Sequence, residues 1–169
     1  MIAELLVLFA LPVLLIAAAA FDLTSFTIPN FLTLALSVTF APFALVVGLS
    51  LGLAGWHLLA GLLGLAVGFV FFALGWIGGG DAKLFAGVAL WLGFKDLMPY
   101  ALVASVCGGA LTIAIMLLRQ QPLPAMLARY GWIVRLHDAR SGIPYGVALA
   151  ASVFFLLPST EIFRVAAAA

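Results

Sequence analysis

Charge is scarce in this 169-residue chain, which has 7 Lys and Arg, 6 Asp and Glu, and 2 His. Charged residues make up 8% of it, where soluble domains carry about 25%. No basic surface interleaved with aromatics is available for nucleic acid, and a net charge of +1 points to no class of partner. Cysteine is nearly absent. Cys107, alone in an apolar run, excludes a disulfide framework and a cysteine metal site. No stretch alternates apolar and polar residues in the manner of a barrel strand. Ile2–Ala20 also lacks the basic start of a signal peptide, Glu4 being its only charge, and the chain stays hydrophobic afterwards.

What remains is apolar. Hydrophobic residues make up 67% of the chain, more than a water-soluble domain of this size can hide, so the excess faces lipid. Runs of about 20 residues suit helices crossing a ~30 Å hydrocarbon core. They fall at Ile2–Phe21, Ile28–Leu49, His57–Ile77, Ala82–Phe94, Leu97–Leu118 and Ile143–Phe163. The fourth reaches only ~20 Å as a straight helix, so it must be buried by neighbours or cross only in part; without it the count is five. Backbone in lipid must be satisfied internally, which makes the spans helical. The expectation is an all-α, polytopic membrane protein of about six transmembrane helices, forming a single domain over residues 1–169. Ala60, Gly64 and Gly68, like Ser105 and Gly109, recur at the fourfold spacing that lets helix backbones approach.

With six spans, Lys83, Arg119, Arg129, Arg135 and Arg140 fall on one side and Lys95 and Arg164 on the other, which makes the first side cytoplasmic. Most of that bias sits in one polar loop at about residues 119–142. Pro122 and Pro124 open it, and Ala125–Leu136 has the composition of a surface-lying amphipathic helix or of an ordinary basic loop.

An acid near apolar membrane is costly and usually has a job. Glu4, Asp96 and Glu161 sit where water reaches, and Asp138, between His137 and Arg140, suits a local ion pair. Asp22 and Asp81 differ. Asp22 closes the first span ahead of Ile28-Pro29-Asn30, and Asp81 closes the third after Gly78-Gly79-Gly80. By the topology above both reach the cytoplasmic boundary. Two carboxyls brought together there could share one proton, activate a water against a peptide carbonyl and protonate the leaving amine, with no metal or other cofactor. The three glycines could let a substrate backbone, or the helix of the other aspartate, approach Asp81; a tight turn would explain them equally. Pro29 and Asn30 suit a helix start. Lys83 could neutralise Asp81, contact substrate or snorkel to headgroups. His57 and His137 lack the partners of a metal site, and Ser105 and Cys107 lack a base.

Asp22 with Ile28-Pro29-Asn30, Gly78-x-Gly80-Asp81 followed by Ala82-Lys83-Leu84, and a late Gly142-Ile143-Pro144-Tyr145-Gly146 together resemble the type IV prepilin peptidases, in that family's order and across nearly the whole chain. The closest likeness is to the short peptidases of tight-adherence (Flp) pilus systems. The resemblance implies a membrane aspartic protease that cuts the basic leader from prepilins at the cytoplasmic face of a bacterial inner membrane. Its catalytic pair would be Asp22 and Asp81, with Gly78, Gly79, Gly80 and Lys83 beside the substrate. The partners implied are a prepilin and lipid, with oligomeric state left open. Longer members carry an N-terminal domain, often with paired Cys-x-x-Cys motifs, and methylate the new amino terminus; with one cysteine and a hydrophobic start, the expectation here is no N-terminal methyltransferase domain and no methylation. Thr24, Ser25 and Thr27 stand where many relatives have basic residues, and Phe21, in place of a tyrosine, fits the presenilin-like branch worse. Two rivals compete with the peptidase: a small proton-coupled transporter, and a non-catalytic subunit of a pilus or secretion assembly.

Overall fold

The computed structural model describes residues 2–168. Met1, Ala169 and the side chains of Ala3, Glu4 and Ala168 lie outside the described residues. The chain is helical throughout, with short connections: α1 (Ile2–Leu5), a π turn (Leu6–Ala10), α2 (Leu11–Ser25), α3 (Asn30–Val46), α4 (Leu51–Ala73), α5 (Gly79–Arg119), α6 (Gly131–His137), α7 (Tyr145–Leu156), a 3-10 turn (Leu157–Ser159) and α8 (Glu161–Ala168). The π turn precedes Pro12, whose missing N–H and bulky ring disturb the hydrogen bonding of the turn before it.

Three helices, Leu6–Ser25, Leu51–Ala73 and Gly79–Arg119, are long and apolar enough to cross a membrane; a fourth is gained if the bent pair Tyr145–Ser159 and Glu161–Ala167 counts as one. The outer surface carries a dense coat of large apolar side chains, including Leu45, Leu51, Phe69 and Phe155. This is an all-α membrane protein.

Helix α5 is not one rod. Gly93 has φ 65° and ψ −179°, outside helical space, and the chain reverses there. The Phe85 and Tyr100 rings stack with centroids 5.4 Å apart, although fifteen residues of straight helix would separate them by ~22 Å. The reversal divides α5 into arms 79–92 and 94–119, matching the two segments expected at Ala82–Phe94 and Leu97–Leu118. Glycine is required at the bend twice over. Its φ is positive, and a Cβ there would lie 2.9 Å from the His57 ring. His57 donates from Nδ1 to the Leu90 carbonyl at 2.9 Å, satisfying a group freed where the first arm ends.

The first arm is held against α4 by small residues. A Cβ on Gly61 would meet Leu90 at 3.0 Å, one on Gly64 would meet Ala89 at 2.9 Å, and one on Gly68 would meet Ala82 at 3.0 Å. The expected fourfold stripe Ala60-Gly64-Gly68 is therefore a packing seam, all three residues being buried. On the second arm the close contact falls at Gly108, under the Tyr145 ring, while Gly109 faces open space.

Several boundaries depart from expectation. The third span starts at Leu51, because Ser50 caps it by accepting from the Leu53 N–H at 3.3 Å. The last span, expected to run Ile143–Phe163, breaks at Pro158 and Ser159. Beyond Thr160 the chain bends by 52° into α8, whose first N–H, that of Glu161, donates to Asp96 at 2.8 Å. In the basic loop only Gly131–His137 is helical, the residues after Pro122 and Pro124 forming turns. Asp138 accepts the Arg140 backbone N–H at 2.9 Å, closing a turn, where an ion pair was expected. At the α8 end, Lys95 pairs with Glu161 at 3.3 Å.

The seam can be tested by substitution. Gly64→Val should lower stability by about 1–3 kcal/mol through overpacking, and Gly109→Ala should stay within about 0.5 kcal/mol of wild type, as read by unfolding of the detergent-solubilised protein.

Candidate active site

The two unusual acids converge. Asp22 lies in the last turn of α2, and Asp81 is the third residue of α5. Both are buried, at 5% and 7% exposure, and close enough for their charges to act on one another.

Each acid is met by a helix start. The Gly146 N–H, in the first turn of α7, donates to Asp22 Oδ2 at 2.7 Å and also approaches Asp81. The first N–H groups of a helix have no partner within it and carry the positive end of the dipole, so they suit a carboxylate. Asp81 Oδ2 accepts the Gly78 N–H at 3.1 Å, at the start of its own helix. Asp81 Oδ1 is buried and, among the described residues, has no hydrogen-bond partner. An oxygen left bare in that position has a structural cost that an ordinary helix cap would not incur.

The glycine-rich motifs make this convergence fit. Ile28, in the connection between α2 and α3, is wedged between two of them. A Cβ on Gly80 would sit 3.0 Å from Ile28 Cβ, and one on Gly146 would sit 2.7 Å from Ile28 Cδ1 and 2.9 Å from Asp22 Oδ2. Gly80 thus admits the connection that follows the other aspartate's helix. Only Gly78 precedes the helix, however; Gly79 and Gly80 form its first turn, with Gly79 against Phe72. Phe26, with φ 57°, closes α2 in a left-handed cap, its N–H donating to the Asp22 carbonyl at 2.8 Å.

Polar bonds tie the same end of the bundle. Lys83 Nζ donates to Asn30 Oδ1 at 2.8 Å, linking the starts of α5 and α3, so its ammonium is engaged there. Pro29 caps α3 and Asn30 is its first residue. Arg119 donates to the carbonyls of Leu136, Ser141 and Gly142 at 2.9, 3.1 and 2.9 Å, pinning the segment that leads into Gly146. Arg135 reaches the Ser25 carbonyl at 3.3 Å. Among the described residues no three His, Cys, Asp or Glu gather as a metal site would require.

Two cavities flank Asp81. One, of about 490 Å³, extends along the helices past Phe85, Ala101, Ala104 and Leu149. The other, of about 450 Å³, opens among Gly75, Gly78, Thr112 and Gly142. Sequence reasoning did not assign Ile28, Arg119, Tyr145 or Gly146 to the site. The readable signal was Pro144 just ahead of an apolar run, which marks a helix start with free N–H groups.

Comparison with known proteins agrees with the resemblance. The model of the type IV leader peptidase family matches residues 9–113, a stretch that holds both aspartates. The prepilin leader peptidase/N-methyltransferase of Bacillus subtilis (strain 168) is 37% identical over 121 residues, covering 66% of this chain and 46% of that protein. The chain therefore spans about half the length of this curated relative. No solved structure gives a significant match. With more than half of its length matched by the family model, the chain belongs to the type IV leader peptidase family.

Proposed function

We propose that this chain is an aspartic endopeptidase that cleaves the leader from type IV prepilins, of the Flp kind, with Asp22 and Asp81 as its catalytic pair. The observation that carries this reading is the meeting of two buried carboxyls from helices remote in sequence, one of which keeps an oxygen without a partner.

Two carboxyls coupled in a dry surround do not both ionise readily, so the working state has one proton between them. The ionised member takes a proton from a water as that water attacks the scissile carbonyl. The protonated member donates to the carbonyl oxygen, and the proton is returned to the departing amine as the C–N bond breaks. Gly146 N–H, on Asp22 Oδ2, fixes that carboxyl's orientation, and Asp81 Oδ1, buried without a donor, keeps its lone pairs uncommitted.

Placement of the site at the cytoplasmic face of a bacterial inner membrane is supported by charge. Lys83, Arg119 and Arg135 all bond within the aspartate end, whereas Lys95 pairs with Glu161 at the other. A basic leader would approach from that side.

The test is cleavage of a purified prepilin by the reconstituted protein. Asp22→Asn and Asp81→Asn should each lower the rate by at least ~10²-fold with helical content retained, and the wild-type rate should follow a bell-shaped pH profile. Wild-type cleavage by either variant removes the dyad. No cleavage by the wild type, with pH-driven flux in its place, supports the transporter. Gly146→Ala, which crowds Ile28 and Asp22, should cost ~10–100-fold in kcat by misplacing the carboxyl. Gly55→Ala, where a Cβ meets nothing within 4 Å and which lines neither cavity at Asp81, should match wild type.

A further inference from the structure

The two cavities at Asp81 share four lining residues, Trp76, Ile77, Asp81 and Tyr145, and so adjoin at the acid. Their chemistry differs. The smaller is lined by backbone-rich, polar-end residues of the loops, among them Gly75, Gly78, Thr112 and Gly142. The larger descends into the apolar part of the bundle, between α4, both arms of α5, and α7. On the second arm it is lined by small residues, Ala101, Ala104 and Ser105, with Phe71 and Leu149 beside them.

We propose that the larger cavity is the seat of the substrate's own apolar helix, entered sideways from the bilayer, with the chain rising past Asp81 into the smaller cavity where its polar leader rests. This assigns a docking surface to the reaction proposed above and rests on that reading.

Three observations select this occupant. Small residues let two helix backbones approach closely, which is how helices associate where lipid removes the hydrophobic drive. Here they line an open cleft, unlike the filled seam between α4 and the first arm of α5. Second, the cleft ends on Asp81, whose Oδ1 is buried without a donor. An acyl chain would leave that oxygen bare, whereas a peptide passing the acid brings amide N–H groups to it. Third, along the second arm the lining residues pass from Ala101, Ala104 and Ser105 in the larger cavity to Thr112 in the smaller, ~16 Å in all, so the larger cavity leads along the bundle toward the polar end. A helix seated in it would leave the bilayer at the level of the acids, so the bond presented to them is the one at the helix's cytoplasmic end. Cleavage position is then set by the register of the docked helix, as well as by the residues flanking the bond.

The experiment compares a full prepilin, with leader and apolar helix, against a peptide carrying the same scissile bond but ending before the helix. Ser105 is exposed in the cleft, so Ser105→Trp fills it without entering the core. Val106, 72% exposed and outside the cleft lining, supplies the control Val106→Trp. Ser105→Trp should raise KM for the full prepilin by at least ~10-fold, a loss of about 1.4 kcal/mol of binding, while kcat and cleavage of the short peptide stay at wild-type values; Val106→Trp should change neither. An unchanged KM for the full prepilin, as a lipid-filled cleft would give, overturns the proposal, and so does an equal loss on the short peptide. Wild-type protein that cuts neither substrate refutes the peptidase reading instead. A second measurement does not depend on turnover. With Cys107→Ala as background and an added thiol oxidant, Ser105→Cys should form a disulfide with a single cysteine placed in the prepilin helix, and Val106→Cys should not. A disulfide between two copies of this chain, or none with prepilin, contradicts the docking site.

Discussion

A carboxyl buried in an apolar bundle has to be met by donors, and here almost every motif serves that need at one of two oxygens. Among the described residues no side-chain cation bonds to Asp22 or Asp81. Their partners are backbone N–H groups at the starts of helices: Gly146 for Asp22 and Gly78 for Asp81. Such donors have fixed positions and add no competing titratable group. They also explain why glycines crowd the site. A backbone donor reaches a carboxylate closely only where no Cβ intervenes, and at Gly146 a methyl would stand 2.9 Å from the oxygen it serves.

The geometry extends outward from those donors. Gly146 is placed by the segment Arg119 pins through three carbonyls, and Arg119 ends the long second arm of α5. The arm is antiparallel to the one bearing Asp81 because Gly93 turns the chain over His57. The acid end and the far end of the bundle are therefore mechanically joined. One consequence concerns the basic residues. Read as a topology signal they are interchangeable, but Arg119, Arg135 and Lys83 each hold a different connection at the acid end. A count of charges predicts their side of the membrane and misses these separate duties.

How much could be read from the residues alone follows the same division. The helical class, the apolar segments and the two aspartates were legible because burying charge in lipid leaves a strong compositional mark. The break between Ala82–Phe94 and Leu97–Leu118 was legible from Lys95 and Asp96, although the turn itself falls at Gly93. The small-residue stripe on α4 was legible as packing, but its counterpart on the second arm was read at Gly109 when Gly108 makes the contact. Spacing gives a helix face; it does not say which residue meets an aromatic ring from a helix far along the chain. Gly146 stayed outside the expected site for a related reason. Its contribution is a backbone N–H, and side-chain chemistry, the basis on which residues were singled out, is silent about main-chain donors. The end of the last span was missed because Pro158 lies within a run apolar enough to continue the helix on composition alone.

Asp81 occupies a position that an acid would favour for stability alone, the first turn of a helix, and one of its oxygens does the work of a cap. That role needs a single acceptor and tolerates water on the other oxygen. Here the other oxygen is held out of solvent, beside a second carboxyl, where neither charge is relieved by its neighbour. A fold selected for stability would replace either acid with an amide or a serine, which would keep the N–H bond and remove the repulsion. Under the proposed mechanism the unfavourable pair is itself what is used: one carboxyl to take a proton and one to give it.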